Sequence, residues 1–395
     1  MLPFLNIKPM FQPALLSAFE SLETPFYYYD MSLLHKTLDL YTFCLKKYGY
    51  HAHYALKANA NDRILDAMRT AGLGADCVSG NEVALALQSG FSPDKIVFAG
   101  VGKSDKEIKT ALEGNIFSFN VESIPEMERI NELAAGMGKV ANISLRLNPD
   151  IDAHTHKYIT TGLAQNKFGI SPWMFGEVWE VLERSKHLAL IGLHFHVGSQ
   201  ITNMSVFKTL CERVRVLQQW FLDKGAVLSV VNLGGGLGVD YQSPLEHPIV
   251  DFASYFDIIH KNLPLLPGQE IHLEPGRALV AQSGFLIGRV LYVKKGKGIK
   301  FAILDAGMND LIRPSLYGAQ HYILNLSSAG RMMRYDVVGP VCESSDRFAK
   351  SVLLPQVSRG DFIALCSTGA YGQVMSMRYN QRDLAESYYS DRLLP

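Results

Sequence analysis

The chain has 395 residues, 48% hydrophobic and 19% charged, enough for two domains of ordinary size, each with its own core. Lysine plus arginine and aspartate plus glutamate both total 38, which excludes the long-range positive field that gathers nucleic acid or an anionic membrane and leaves small molecules or protein as partners. Cys44, Cys77, Cys211, Cys342 and Cys366 show no Cys-x-x-Cys spacing, the stretch 1–16 is broken by Pro3, Pro9 and Pro13, and no apolar run approaches the roughly 20 residues that span a bilayer, so a soluble cytoplasmic protein with reduced thiols is expected.

From about Asp30 to Leu273, short apolar runs alternate with longer amphipathic stretches, the pattern of strand followed by helix. Strands are predicted over 51–56, 75–78, 96–99, 116–119, 142–147, 190–195, 229–233 and 270–273. Helices are predicted over 61–71, 80–88, 103–113, 123–135, 172–184, 206–222 and 252–262. Roughly eight strand–helix units match a closed (β/α)8 TIM-like barrel, with a doubly wound open sheet as the alternative. Lys57, Asp76, Ser79, Asn120, Arg146, Asn148, His196 and Ser199 all fall at or just past strand C-termini, which favours the barrel, because barrels collect their active site at that one face. After Arg277 the helical periodicity fades. Runs over 278–293, 300–305, 335–341 and 362–366 predict a mostly β, sandwich- or barrel-like C-terminal domain, to which Phe26-Tyr27-Tyr28-Tyr29 would add strand residues. The expected domains are 30–273 and 1–29 plus 274–395.

Candidate chemistry begins at Lys57, which ends the alternating run His53-Tyr54-Ala55-Leu56-Lys57. An amine held at a strand end can form a Schiff base with a cofactor aldehyde. In the segment His194-Phe195-His196-Val197-Gly198-Ser199-Gln200, His194 and His196 share a face, but no third ligand at zinc-like spacing accompanies them, so no metal is expected. A flat imidazole over a cofactor ring, with Ser199 reaching a phosphate, accounts for these residues better. Gly234-Gly235-Gly236-Leu237-Gly238 follows the seventh predicted strand, where barrels often bind phosphate, and lacks both the G-x-G-x-x-G and the Gly-Lys-Ser/Thr patterns. Glu274, closing the last barrel strand, is placed to hold a pyridine nitrogen protonated. Arg277 beside it suits either a phosphate or a substrate carboxylate, Arg313 offers a bidentate fork for a carboxylate, and Cys342 is a candidate proton donor.

The motifs Tyr54-Ala55-Leu56-Lys57-Ala58-Asn59, Asn148-Pro149-Asp150 with Asp152-Ala153-His154-Thr155-His156, Lys167-Phe168-Gly169, His196-Val197-Gly198-Ser199-Gln200, Glu274-Pro275-Gly276-Arg277, Cys342-Glu343-Ser344 and Gly369-Ala370-Tyr371-Gly372 resemble those of the fold-type III pyridoxal phosphate-dependent decarboxylases. The resemblance runs from Thr24 to about Asn380. It implies pyridoxal 5'-phosphate as cofactor, with Lys57 on its aldehyde, His196 on its ring face and Glu274 on its pyridine nitrogen. Asp76 joins these as a cofactor-binding residue, and Ser199, Gly235, Gly236 and Tyr371 surround the phosphate. It further implies that Arg277, Arg313, Tyr317 and Tyr371 contact the substrate, with Glu343 on a distal ammonium. Cys342 would reprotonate the α-carbon, so the expected catalytic set is Lys57, His196 and Cys342. Cys342 and Glu343 would come from the partner subunit of a homodimer. Two arginines plus a glutamate suit a distal group that is itself a zwitterion, so the expected reaction is decarboxylation of meso-2,6-diaminopimelate to L-lysine. The alternatives are an ornithine-, lysine- or arginine-class decarboxylase and a non-catalytic cofactor-binding homologue. Two departures from the family pattern are Asn81, where glycine is common, and the tail Gln381-Arg382-Asp383-Leu384-Ala385-Glu386, which lacks a proline-rich ending.

Overall fold

The computed structural model describes residues 11–151 and 167–393; the motif at 152–156, and Pro3 and Pro9 of the leading stretch, lie outside the described residues. Two compact units are present. One comprises Leu38–Gly238 and Asp251–Gly276, the other Met1–Thr37, Val239–Val250 and Arg277–Pro395.

The second of these units contains the first strand, β1 (Phe26–Tyr29). The barrel unit then supplies β2 (His51–Ala55), β3 (Gly74–Cys77), β4 (Ile96–Phe98), β5 (Ser118–Val121), β6 (Ala141–Arg146), β7 (Leu188–His194), β8 (Val230–Asn232) and β9 (Glu270–Leu273). All eight pair in parallel in chain order, and β2 pairs with β9 through His51 opposite His272, which closes the sheet as the strand–helix count predicts. Helices at Gly80–Gln88 and Phe252–Asn262 fall on the bounds read from periodicity. Ser79, Ser104 and Ser123 each cap a following helix by accepting from the backbone amide of a glutamate three residues on. The glutamates themselves tie down the strand-end loops: Glu82 accepts from the Val78 amide at 2.6 Å, Glu107 from Gly80 at 2.9 Å and Glu126 from Glu122 at 2.8 Å. The loops at the C-terminal face are therefore held by half-buried acceptors rather than left as free turns.

The other unit is mostly β, as expected. Its strands after β1 are β10 (Gly284–Lys295), β11 (Lys300–Leu304), β12 (Ile323–Asn325), β13 (Met332–Val338), β14 (Arg347–Pro355), β15 (Phe362–Leu365) and β16 (Glu386–Tyr389). The sheet order is β12-β15-β10-β11-β13-β14, with β1 beside β10 and β16 beside β1. All four residues of β1 are buried, and Phe11, Phe19, Phe26, Tyr28, Phe285 and Phe362 form an aromatic cluster with edge-to-face contacts such as Phe19 on Phe26 at 5.0 Å. Burial of each such ring contributes on the order of 2 kcal/mol.

Three features differ from the sequence reading. The run at 278–293 is not one strand: Arg277–Val280 turns as a short helix before β10 begins at Gly284, where a Cβ would stand 2.2 Å from the Cα of Gly369. The segment Val239–Val250, expected within the barrel span, belongs to the β unit. An 18-residue helix at Met31–Tyr48, the nine-residue β14 and the short strands β12 and β16 had no predicted counterpart.

Candidate active site

Lys57 sits in a short 3-10 turn, Leu56–Ala58, directly after β2. The turn is anchored from below, because the fully buried Tyr54 donates its hydroxyl to the Asn59 carbonyl at 3.0 Å, and the Ala55 amide donates to Pro275 O at 3.0 Å. The Lys57 ammonium lies 3.9 Å from Oδ2 of Asp76, whose side chain is only 2% exposed while that of Lys57 is 40% exposed. Burial raises the Asp76 pKa well above the ordinary carboxylate value, and the nearby Glu274 carboxylate raises it further. Asp76 Oδ1 has no hydrogen-bond partner among the described residues. Lys57, Asp76, Arg146, His194, His196 and Glu274 line a cavity of about 390 Å³ at the C-terminal face of the barrel.

Glu274 is the best-held group in that cavity. Its Oε1 accepts from Asn120 at 3.1 Å and from Asn232 at 2.8 Å, and its Oε2 lies 2.9 Å from Nε2 of His194. Burial alone would push its pKa up. The pull of His194, reinforced by Lys57, overcomes this and keeps the carboxyl strongly acidic and ionised. His196 behaves in the opposite way: burial first, then the positive charges of Lys57 and Arg146, drive its pKa well below the ordinary value and leave a neutral ring. The amide of Gly235 donates to its Nδ1 at 3.1 Å, so that nitrogen is bare and the proton sits on Nε2. Arg146 is neutralised separately by the buried Glu122 at 2.6 Å.

The glycine run is required by its surroundings. Gly234 has φ +70°, and a Cβ there would lie 2.3 Å from Phe195 O; one on Gly235 would lie 2.2 Å from Glu274 O. The loop is laced to the segment carrying Ser199, since the Ile201 amide donates to Gly236 O at 2.9 Å and the Gly238 amide to Ile201 O at 2.9 Å. Asn232 joins the parts, because its Oδ1 accepts from the Gly234 amide at 2.8 Å while its Nδ2 serves Glu274.

In the β unit a second constellation forms around Tyr241. Its hydroxyl oxygen accepts from Arg277 at 2.7 Å and from Arg313 at 2.9 Å. Burial opposes ionisation of this phenol, but the two guanidiniums prevail and lower its pKa. Arg313 also donates to Nε2 of His321 at 3.3 Å, and Nδ1 of His321 donates to Cys366 O at 2.8 Å, a bond pattern that fixes a neutral tautomer. The Arg277 guanidinium lies over the Tyr371 ring at 4.8 Å. Tyr371 takes φ +56°, next to Gly372, where a Cβ would meet Thr368 O at 2.3 Å. Arg313 is buried, has no carboxylate partner among the described residues, and its Nε is left without an acceptor. Tyr317, half-buried, ends the short helix that Arg313 begins.

Cys342 and Glu343 lie on an exposed loop of the same unit. Asp346 fixes the loop by accepting from the Met308 and Val341 amides at 2.7 and 2.6 Å. Glu343 accepts from Tyr379 and, at 3.0 Å, from Ser345, and the Tyr379 bond lowers its pKa.

The structure therefore gathers Lys57, Asp76, His196, Gly235, Gly236 and Glu274 in the barrel, with the Ser199 loop beside them, and Arg277, Arg313, Tyr317 and Tyr371 in the β unit. The sequence reading gave no role to Asn120, His194 or Asn232 as partners of Glu274, nor to Tyr241 or His321. Asn120 and Asn232 did carry a signal, as polar residues at strand ends.

Residues 34–281 match the family model described as the pyridoxal-dependent decarboxylase, pyridoxal binding domain. The chain is 53% identical over 377 residues to a diaminopimelate decarboxylase of Bacteroides thetaiotaomicron, covering 95% of this chain and 98% of that one. It is 42% identical over 368 residues to the diaminopimelate decarboxylase of Helicobacter pylori strain J99, covering 92% and 89%. A crystal structure of diaminopimelate decarboxylase from Helicobacter pylori complexed with L-lysine superposes with a TM-score of 0.89 at 41% identity, over 94% of this chain and 93% of that one.

Proposed function

We propose that this chain, which belongs to the pyridoxal-dependent decarboxylases, removes carbon dioxide from meso-2,6-diaminopimelate to leave L-lysine. The observation that carries the reading is Glu274, ionised and triply held in the cavity that also holds the Lys57 amine and the neutral His196.

These residues fit pyridoxal 5'-phosphate. An amine is available for its aldehyde, a fixed carboxylate for its ring nitrogen, a flat uncharged imidazole for its face, and for its phosphate a glycine loop in which a Cβ at position 234, 235 or 236 would collide. Bound there, the cofactor supplies an electron sink for the charge left on the α-carbon when carbon dioxide departs. Lys57 would anchor the aldehyde end. Glu274 would keep a proton on the ring nitrogen, and His194, Asn120 and Asn232 hold that carboxylate in one orientation. His196 would pack on the ring, while Ser199, Gly235, Gly236 and Tyr371 would hold the phosphate. Asp76, buried 3.9 Å from the Lys57 ammonium, would complete the cofactor-binding set.

For the substrate, Arg313, Arg277 and Tyr317 hold the distal carboxylate. Arg313 supports this best, being a buried guanidinium with no carboxylate partner among the described residues. Glu343 takes the distal ammonium and Cys342 delivers a proton to the α-carbon. Both lie on an exposed loop, which suits residues lent by one subunit of a homodimer to the active site of its partner. Among the described residues no helix is long and apolar enough to cross a membrane; a cytoplasmic location would suit a role in making lysine.

Carbon dioxide release from meso-diaminopimelate, compared with ornithine, lysine and arginine at equal concentration, tests the substrate. Faster turnover of ornithine would remove the diaminopimelate reading. Borohydride reduction and peptide mapping should place the label on Lys57.

A further inference from the structure

At the opposite, N-terminal end of the barrel, three side chains of the closing seam meet. His51 opens β2, and Glu270 and His272 lie on β9, two residues apart and hence on one face. That face is the barrel interior, because Glu274, two residues further, reaches Asn120, His194 and Asn232 on three other strands. Nε2 of His51 and Nε2 of His272 each stand 3.4 Å from Oε2 of Glu270, and all three atoms lie within 4.8 Å of one another. An ion bonded at about 2.1 Å to tetrahedral ligands separates those ligands by about 3.4 Å.

The hydrogen bonds behind His272 supply a second, independent observation. The Lys95 carbonyl can only accept, so Nδ1 of His53, 2.9 Å away, carries its proton. Nε2 of a neutral His53 is then bare, and Nδ1 of His272, 2.8 Å from it, must donate. A neutral His272 thereby presents a lone pair on Nε2 to a carboxylate oxygen, an acceptor facing an acceptor. Stacking of His272 on Phe117 at 5.4 Å and 9° fixes the ring, and Gly74 leaves room for the relay, since a Cβ there would lie 2.6 Å from Nδ1 of His53 and 2.1 Å from Lys95 O. An imidazole whose far nitrogen is tied back to a backbone carbonyl through hydrogen bonds is the usual support of a metal ligand.

We infer that His51, Glu270 and His272 bind a divalent transition-metal ion of the imidazole-seeking class, zinc foremost, which clips the first and last strands of the barrel together. Two nitrogens and one carboxylate oxygen exclude magnesium and calcium as preferred occupants. His51 and Glu270 are half exposed, so the ion has an entry route and an open position for water.

The test uses the full-length, cofactor-loaded protein after dialysis against a chelator. Zinc chloride is titrated by calorimetry, with magnesium chloride in parallel, into the native protein and into His51→Ala and Glu270→Gln. One zinc site in the native protein that weakens at least tenfold in both variants, with no matching response to magnesium, is the expected result. A zinc-induced rise in melting temperature should likewise be lost in both variants, while their carbon dioxide release stays within about twofold of native. Weak zinc binding elsewhere, at the exposed Cys342 for example, would be common to all three proteins and subtracts out. Equal zinc affinity in native and variant proteins overturns the site. So does a native melting temperature that follows pH but not zinc, which would make a proton the occupant. Glu270→Gln preserves volume at an exposed position and keeps the test decisive should His51→Ala unfold.

Discussion

Arg277 and Arg313 donate to one and the same oxygen, that of Tyr241, at 2.7 and 2.9 Å. Two buried like charges sharing one acceptor repel each other, and Arg313 lacks a carboxylate counterpart among the described residues, so the pair is arranged to receive an anion.

Replacing Arg313 with alanine should therefore raise KM for diaminopimelate on the order of 10²–10³-fold, the loss of a few kcal/mol of charged pairing, with a smaller change in kcat. Steady-state kinetics check this. An unchanged KM would transfer the carboxylate contact to Arg277.

Tyr241→Phe removes the shared acceptor without changing the ring. It should raise KM about tenfold, since each hydrogen bond to a charged donor contributes roughly 1.5–3 kcal/mol and the arginines would lose their alignment. If KM stays native while kcat falls, Tyr241 acts on the chemistry rather than on substrate placement.

Glu274→Gln keeps the shape of the side chain but not its charge. Carbon dioxide release should fall about 10²-fold or more, with cofactor still bound, because the ring nitrogen loses the fixed charge opposite it. Asn232→Ala, which frees one bond to Glu274 and one to the glycine loop, should weaken cofactor retention as well as rate, a combination visible by absorbance and turnover in the same sample.

Subunit exchange tests the shared site. Lys57→Ala and Cys342→Ala proteins, each nearly inactive, should regain about a quarter of native activity when dissociated and mixed in equal amounts, as random pairing leaves one intact site in half of the dimers. No recovery would mean that Lys57 and Cys342 serve the site of their own chain.

Stability should fall as pH drops from 8 to 5. Burial, with Arg313 beside it, depresses the His321 pKa to about 3 from an ordinary 6.5, and burial, with Lys57 and Arg146, depresses that of His196. The unfolded chain takes up these protons below about pH 6.5 while the folded chain does not, so the stability these groups contribute above pH 6.5 is lost on acidification. Melting temperatures across that range measure it, and a flat profile would contradict the neutral assignments.

Much of the site was legible because barrel chemistry falls at strand ends: Lys57, His196, the glycine run and Glu274 each end or follow a predicted strand. The partners of Glu274 were less so. Asn120 and Asn232 reach it across the barrel from positions 154 and 42 residues away, and no local pattern encodes such a meeting. Tyr241 and His321 were missed for the same reason, sitting in loops whose only signal is that they are not periodic. In the β unit, the strands of three and four residues, β12 and β16, are too short to show alternation, and β1 shows none because it is buried on both faces.

The placement of β1 also bears on how the polypeptide is made. Tyr28 stands opposite Phe285 on one side and Tyr388 on the other, so the two strand partners of an aromatic segment translated early lie far along the chain. Closure of this sheet around the four rings therefore waits for β16, the last strand of the chain to be made.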